Sequence, residues 1–178
     1  MPNAYLLTGS PGTGKTTAIR QAIARTKARA GGFYTEEIRS GGTREGFRIV
    51  TLDGQEGILA HVEITGPHKV SKYGVDTTSL DKLGVSAIHQ AIKENDLIVI
   101  DEIGKMELFS PHFEEAVLQA INSGKKVLGT IMLSPHPFAD KIKHLPSVRV
   151  IEISRHNYEQ VLTEITSWIE STTDENKP

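Results

Sequence analysis

The sequence predicts an α/β fold: three layers, with a mostly parallel central sheet between helices and an antiparallel β meander inserted into it. Three observations predict it. Short apolar runs alternate with amphipathic helical periodicities, the order that gives a parallel sheet covered on both faces. Between the first and second helical segments the period changes to that of strands, joined by links too short for a parallel crossover. A glycine-rich loop separates the first strand from the first helix, and a hydrophobic strand further on ends in two carboxylates.

Taken in order, Ala4-Tyr5-Leu6-Leu7-Thr8 is an apolar run ending at glycine and reads as a buried strand. From Lys15 to about Arg29 the apolar positions Ala18, Ile19, Ala22 and Ile23 recur at helical spacing, and Gly31-Gly32 predicts the stop. Phe33 to Arg39, Phe47 to Leu52 and Ile58 to Ile64 are three strands, with Gly41-Gly42 and Asp53-Gly54 as turns, so they pair antiparallel. Thr78 to Glu94 is helical, with Gly84 as a break, and Leu97-Ile98-Val99-Ile100 is a strand covered on both faces. Ser110-Pro111 opens a helix with a capping hydroxyl and a first-turn proline, and Gly124 closes it. Val127 to Leu133 and Val148 to Ile153 are further strands. Asn157 with Gln160 reads as a capping box for the last helix, whose inner face is Tyr158, Val161, Leu162, Ile165 and Ile169. The expectation is one domain over residues 1–178, with the meander at about 32–64 and a polar tail from about 171 that frays.

Composition narrows the classes. The chain is 38% hydrophobic and 24% charged with a formal charge of −2, so no broad basic field favours nucleic acid. It has no cysteine, which excludes disulfides and thiolate sites. The start lacks the basic and apolar regions of a signal peptide, and no stretch approaches the roughly 18 apolar residues of a membrane span. The expectation is a cytoplasmic protein with no membrane and no obligate protein partner.

Gly9-Ser10-Pro11-Gly12-Thr13-Gly14-Lys15-Thr16 matches G-x-x-x-x-G-K-[ST] at every fixed position. A chance match in a chain this size has odds on the order of one in two hundred, and here the required strand precedes it and a helix follows. The residue types answer a physical demand. Backbone amides must converge on a phosphate, so side chains are excluded where the loop curls inward, and the positive end of the following helix adds to the field. The predicted phosphate cradle runs from Gly9 to Thr17. Lys15 reaches the β- and γ-phosphate oxygens and the Thr16 hydroxyl ligates Mg²⁺. The acidic pair completes the set. Asp101 belongs in the outer shell of that Mg²⁺, and Glu102 is suited to orient or deprotonate an attacking water.

With these residues in view the chain resembles the nucleoside-triphosphatases of the thermophilic and cancer-related type, P-loop NTPases. The likeness rests on Gly-Ser-Pro-Gly-Thr-Gly-Lys-Thr-Thr at 9–17, Gly-Phe-Tyr-Thr-Glu-Glu-Ile-Arg at 32–39, Gly-Phe-Arg-Ile-Val at 46–50, Lys-Tyr-Gly-Val-Asp at 72–76 and Asp-Glu-Ile-Gly-Lys-Met-Glu-Leu at 101–108. The resemblance spans roughly residues 4–160. It implies hydrolysis of several nucleoside triphosphates to diphosphate and phosphate, with Mg²⁺ and loose base preference. One departure stands out: the family's usual Asn-Arg pair before the final helix reads Asn157-Tyr158, with Arg155 as the nearest substitute.

Further cations for the γ-phosphate are sought among Lys69, Lys72, Lys105, Arg44 and Arg155, although solvated surface charge is the default for each. Gly66 to Lys72 is the best lid segment, Glu107 a second carboxylate near the acidic pair, and Phe33 or Tyr34 a minor candidate for base stacking. Trp168 reads as core, and the scattered histidines as surface or core groups rather than metal ligands. The runner-up function is a small-molecule kinase; the loop Pro135 to Pro146 lacks the arginines of such a lid, which favours water as acceptor. A nucleotide-dependent adaptor is the third class, but no Asn-Lys-x-Asp guanine motif occurs.

Overall fold

The computed structural model of the chain describes residues 1–171, so the polar tail expected from about 171 lies, beyond Ser171, outside the described residues. The chain runs β1 (Ala4–Thr8), α1 (Lys15–Ala24), β2 (Ala30–Ser40), β3 (Thr43–Thr51), β4 (Glu56–His61), β5 (Lys69–Val70) and β6 (Tyr73–Val75). It continues through α2 (Thr77–Ser79), a π-turn segment (Leu80–Val85), α3 (Ser86–Glu94), β7 (Leu97–Ile103), a 3₁₀ turn (Glu107–Phe109) and α4 (Pro111–Asn122). It closes with β8 (Lys126–Ile131), α5 (Pro137–Lys143), β9 (Val148–Glu152) and α6 (Tyr158–Glu170).

These strands form one sheet in the order β5-β6-β4-β3-β2-β7-β8-β1-β9. Pairing is parallel from β9 to β2 and antiparallel from β2 to β5. Strand β2 joins the two halves: its first residues, Ala30–Phe33, run parallel to Leu97–Ile100, while Phe33–Ser40 pair antiparallel with β3. The meander therefore extends the parallel sheet.

Both faces are covered, as the uninterrupted apolar strands require. Leu97 and Val99 point toward α1 and α6, where Ala18, Ile19, Leu162 and Ile165 are buried and Trp168 stacks on Tyr5 with centroids 4.1 Å apart. Ile98 and Ile100 point the other way, into a core with Ile88, Phe113, Val117 and Ile142 from α3, α4 and α5. Fully burying each such side chain contributes about 1.5–3 kcal/mol. Ser110 caps α4 as expected, its Oγ accepting from Phe113 N at 3.1 Å.

Several element boundaries differ from those the sequence predicts. Helix α1 stops at Ala24, and Gly31-Gly32 lies inside β2. The reason is close backbone approach: a β-carbon on Gly32 would stand 2.0 Å from the Val99 carbonyl oxygen, at a φ of 113° that also disfavours side chains. Gly84 does not break its helix; residues 77–94 stay helical, with the π-turn segment absorbing an extra residue per turn. The lid segment Gly66–Lys72 is part of a β5–β6 hairpin on the sheet edge. The segment Pro135–Pro146 holds α5, with the His136 side chain accepting from Phe138 N. Asn157 does not form a capping box: its Oδ1 accepts from Ser154 N at 2.7 Å and its Nδ2 donates to Glu152 O at 2.9 Å, fixing the turn between β9 and α6. Among the described residues no helix is long and apolar enough to cross a membrane.

Candidate active site

The site lies beyond the carboxyl ends of the parallel strands, where open α/β sheets bind ligands. Strand β1 ends at Thr8, and the chain bends at once through Gly9, where a β-carbon would meet the Ile153 carbonyl oxygen at 2.6 Å. Gly14 caps α1 in the left-handed region and offers no side chain to the first helical turn, leaving its amides for an anion. Lys15 folds back over the loop, its Nζ donating to Gly9 O at 2.5 Å, and Thr13 Oγ1 donates to Ser10 O at 2.9 Å. Ser10, Pro11 and Gly12 are exposed on the rim, as is Thr17 on the first turn of α1.

Strand β8 lies between β1 and β7, so the acidic strand is two places from the phosphate loop. The start of α1 bridges the gap. Thr16 Oγ1 donates to Asp101 Oδ2 at 2.6 Å, and Thr130 Oγ1, from the intervening strand, donates to Asp101 Oδ1 at 2.8 Å. Asp101 is 3% exposed. Burial pushes its carboxyl above the usual carboxylate range, and the two hydroxyls, Arg20 and Lys15 work against that rise. The Asp101–Glu102 peptide is cis. Burial also raises the Glu102 carboxyl, as does its neighbour Asp101, while Lys15 opposes both. This set can hold an anion on amides and Lys15 beside hard oxygen donors suited to a divalent cation.

Three further side chains stand at this site, and the sequence alone assigns none of them a role there. Thr130 is one; a polar residue inside an apolar strand was its only signal. Arg20, one turn past Thr16, sits over the Tyr34 ring at 4.6 Å and pairs with Glu36 at 2.6 Å, at the mouth of a cavity of about 490 Å³. Tyr158 is the third: its ring lies against Gly14, its hydroxyl donates to Gln21 Oε1 at 2.8 Å, and with Arg155 it walls a cavity of about 350 Å³ beside Gly12, Gly14 and Thr17.

The remaining candidates scatter. Lys69, Lys72 and Lys105 are exposed. Arg44 is engaged elsewhere, by the Tyr73 hydroxyl at 2.9 Å and Glu37 at 3.2 Å. Phe33 is fully buried against Phe113, which removes it from base stacking, and Tyr34 is occupied by Arg20.

Comparison with known proteins finds relatives over most of the chain. The family profile described as NTPase matches residues 4–166. The chain is 48% identical over 162 residues to nucleoside-triphosphatase THEP1 of Thermotoga maritima, covering 91% of this chain and 92% of that protein. It is 37% identical over 187 residues to the human cancer-related nucleoside-triphosphatase, covering 96% and 98%. The crystal structure of THEP1 from Aquifex aeolicus matches the fold with a TM-score of 0.85 at 36% identity, covering 94% of this chain and 99% of that one.

Proposed function

The chain belongs to the NTPase family, and on that premise we propose that it hydrolyses nucleoside triphosphates to diphosphate and phosphate. The observation that carries the reading is the junction of Thr16 with Asp101 at 2.6 Å, which joins the phosphate loop to the acidic strand across an intervening strand.

The donor set fits Mg²⁺. That ion prefers hard oxygens and takes one or two carboxylates plus substrate phosphates rather than a cage of protein ligands. Here a hydroxyl and a buried carboxylate converge, and among the described residues no group of three or more His, Cys, Asp or Glu side chains could hold a metal alone. Thr16 would hold the ion with Asp101 behind it; when bound, Mg²⁺ offsets the charge that builds on the β- and γ-phosphates.

The chain's own residues do the rest. Loop amides from Gly9 to Thr17 and the first turn of α1 bind the phosphates, and Lys15 leaves the loop carbonyls for the β/γ oxygens. Glu102 accepts a proton from water as its oxygen bonds to the γ-phosphorus and the bond from that phosphorus to the bridging oxygen breaks. The nucleoside lies against Tyr158 and Arg155. A flat ring beside a guanidinium stacks with any base, which supports loose base preference.

The test is Glu102→Gln, with phosphate release from ATP, GTP, CTP and UTP measured without any acceptor. The expected result is a loss of about 10²-fold or more in kcat with nucleotide affinity retained, because the base is lost and the cradle is not. Unchanged turnover would remove Glu102 from the chemistry.

A further inference from the structure

Tyr158 is the first residue of α6, and a side chain in the first turn of a helix leans back toward the amino end, here toward the phosphate loop. Two contacts hold it there. The ring edge fills the space that Gly14 leaves: a β-carbon on Gly14 would stand 2.9 Å from Tyr158 Cε2 and 3.4 Å from Cδ2. The phenol hydroxyl donates to Gln21 Oε1 at 2.8 Å, which ties the ring to α1, the helix that begins at Lys15. Gln21 is exposed, so what it offers the ring is this hydrogen bond rather than packing. A third constraint acts on the backbone. Asn157 accepts from Ser154 N and donates to Glu152 O, which fixes where α6 begins.

We propose that Tyr158, braced by Gln21, is a preformed platform for the base and gives the site a purine preference of a few-fold in affinity, with Gln21 as a positioning residue that acts through the ring. The inference rests on the reading that the nucleoside lies against Tyr158 and Arg155. The cavity beside the ring, about 350 Å³, is also walled by Gly12, Gly14 and Thr17, so a nucleotide whose phosphates lie on the loop amides has its base within reach of the ring. A free tyrosine side chain turns among staggered rotamers, and a ligand that stacks on it must stop that motion. Here the Gly14 contact and the Gln21 hydrogen bond stop it beforehand, so less binding energy is lost to ordering, whatever the base. The purine preference has a separate origin. Stacking strengthens with ring overlap, and a two-ring base covers more of a phenol face than a one-ring base does. A contact remote from the γ-phosphate is the same before and during bond cleavage, so it changes affinity and leaves kcat alone.

Affinity is read by calorimetry with ADP, GDP, CDP and UDP, which require no turnover, and kcat with ATP is measured alongside. In the parent, Kd for the two pyrimidine nucleotides should exceed that for the two purine nucleotides by about threefold or more. Gln21→Leu and Tyr158→Phe should each raise Kd about threefold for all four nucleotides at parental kcat. The double variant should be no worse than either, because both substitutions remove the same hydrogen bond. Gln21→Glu keeps the acceptor and should stay within about 1.5-fold of the parent. Tyr158→Ala should raise the purine Kd by about tenfold and bring the four values together. A parental Kd in Gln21→Leu overturns the proposal, as do losses that multiply in the double variant or equal purine and pyrimidine values in the parent. The underlying placement fails separately: a parental Kd in Tyr158→Ala removes the nucleoside from this ring, whereas a weakened Tyr158→Ala beside an unaffected Gln21→Leu refutes only the brace. Hydrolysis is tested apart from both, since the diphosphate affinities stand whatever Glu102→Gln does to turnover.

Discussion

The same substitution in two adjacent strands is expected to have opposite signs. Thr8 ends β1 and Thr130 lies near the end of β8; both are buried, at 5% and 0% exposure. Thr130 Oγ1 donates to the Asp101 carboxyl at 2.8 Å, whereas Thr8 Oγ1 has no hydrogen-bond partner. Replacement by valine conserves volume and removes only the hydroxyl. For Thr130→Val the loss is a buried hydrogen bond to an acid and an acceptor left unsatisfied, about 1.5–3 kcal/mol. At roughly 2–4 °C per kcal/mol for a domain of this size, the unfolding temperature should fall by about 3–12 °C. For Thr8→Val the change relieves a desolvated hydroxyl, about 1 kcal/mol or more in favour of folding, or a rise of about 2–4 °C. The assay is thermal unfolding with chelator and without nucleotide, followed by fluorescence of Trp168, which is buried against Tyr5 and reports the loss of packing. A Thr130→Val within about 1 °C of the parent, or a Thr8→Val that falls as far as Thr130→Val, would refute the hydrogen-bond accounting at this site.

Two further outcomes follow from the same coordinates. Gly32→Ala places a β-carbon 2.0 Å from the Val99 carbonyl oxygen; because both atoms belong to paired backbones, the cost should reach about 3 kcal/mol or more, and a parental urea midpoint would mean that β2 can shift freely against β7. The second concerns pH. Burial, then Glu102, raise the folded Glu107 carboxyl well above 4.5; below pH 4.5 both states are protonated, while above it the unfolded chain releases a proton that the fold retains. The unfolding free energy then drops by at most about 1.4 kcal/mol per pH unit until the raised folded value is passed. The unfolding temperature of metal-free parent should therefore decline relative to Glu107→Met between pH 5 and 7, and a constant difference would show that Glu107 ionises normally.

What could be read from the sequence was local chemistry. The phosphate loop specifies itself, since its glycines, lysine and threonine are consecutive and their roles depend on the loop's own backbone. Asp101 was also legible, because an apolar run ending in carboxylates is a local pattern. Its second partner was not: Thr130 is 29 residues away, and only the strand order, with β8 between β1 and β7, brings it there. Gly31-Gly32 shows the converse difficulty. A glycine that ends a helix and a glycine that lets two strands approach look alike in sequence, and only the backbone of Val99 distinguishes them. Strands as short as Lys69–Val70 and Tyr73–Val75 are too brief to display a period, so the sequence shows only a polar loop where they form a hairpin.

The distribution of unsatisfied groups points back to the same place. Among the described residues, three buried side-chain atoms lack a partner: Thr8 Oγ1, Arg48 Nε and Glu107 Oε2. Two of the three border the phosphate loop and the acidic strand end, while the neighbouring Ser110, Thr16 and Thr130 hydroxyls are all bonded. Unpaired buried groups cost stability, and two of the three fall beside the cradle while Arg48 lies in the meander. Glu107→Met deletes an unpartnered buried oxygen and is expected to unfold no earlier than the parent; unfolding several degrees earlier would mean that the carboxyl is bonded in solution.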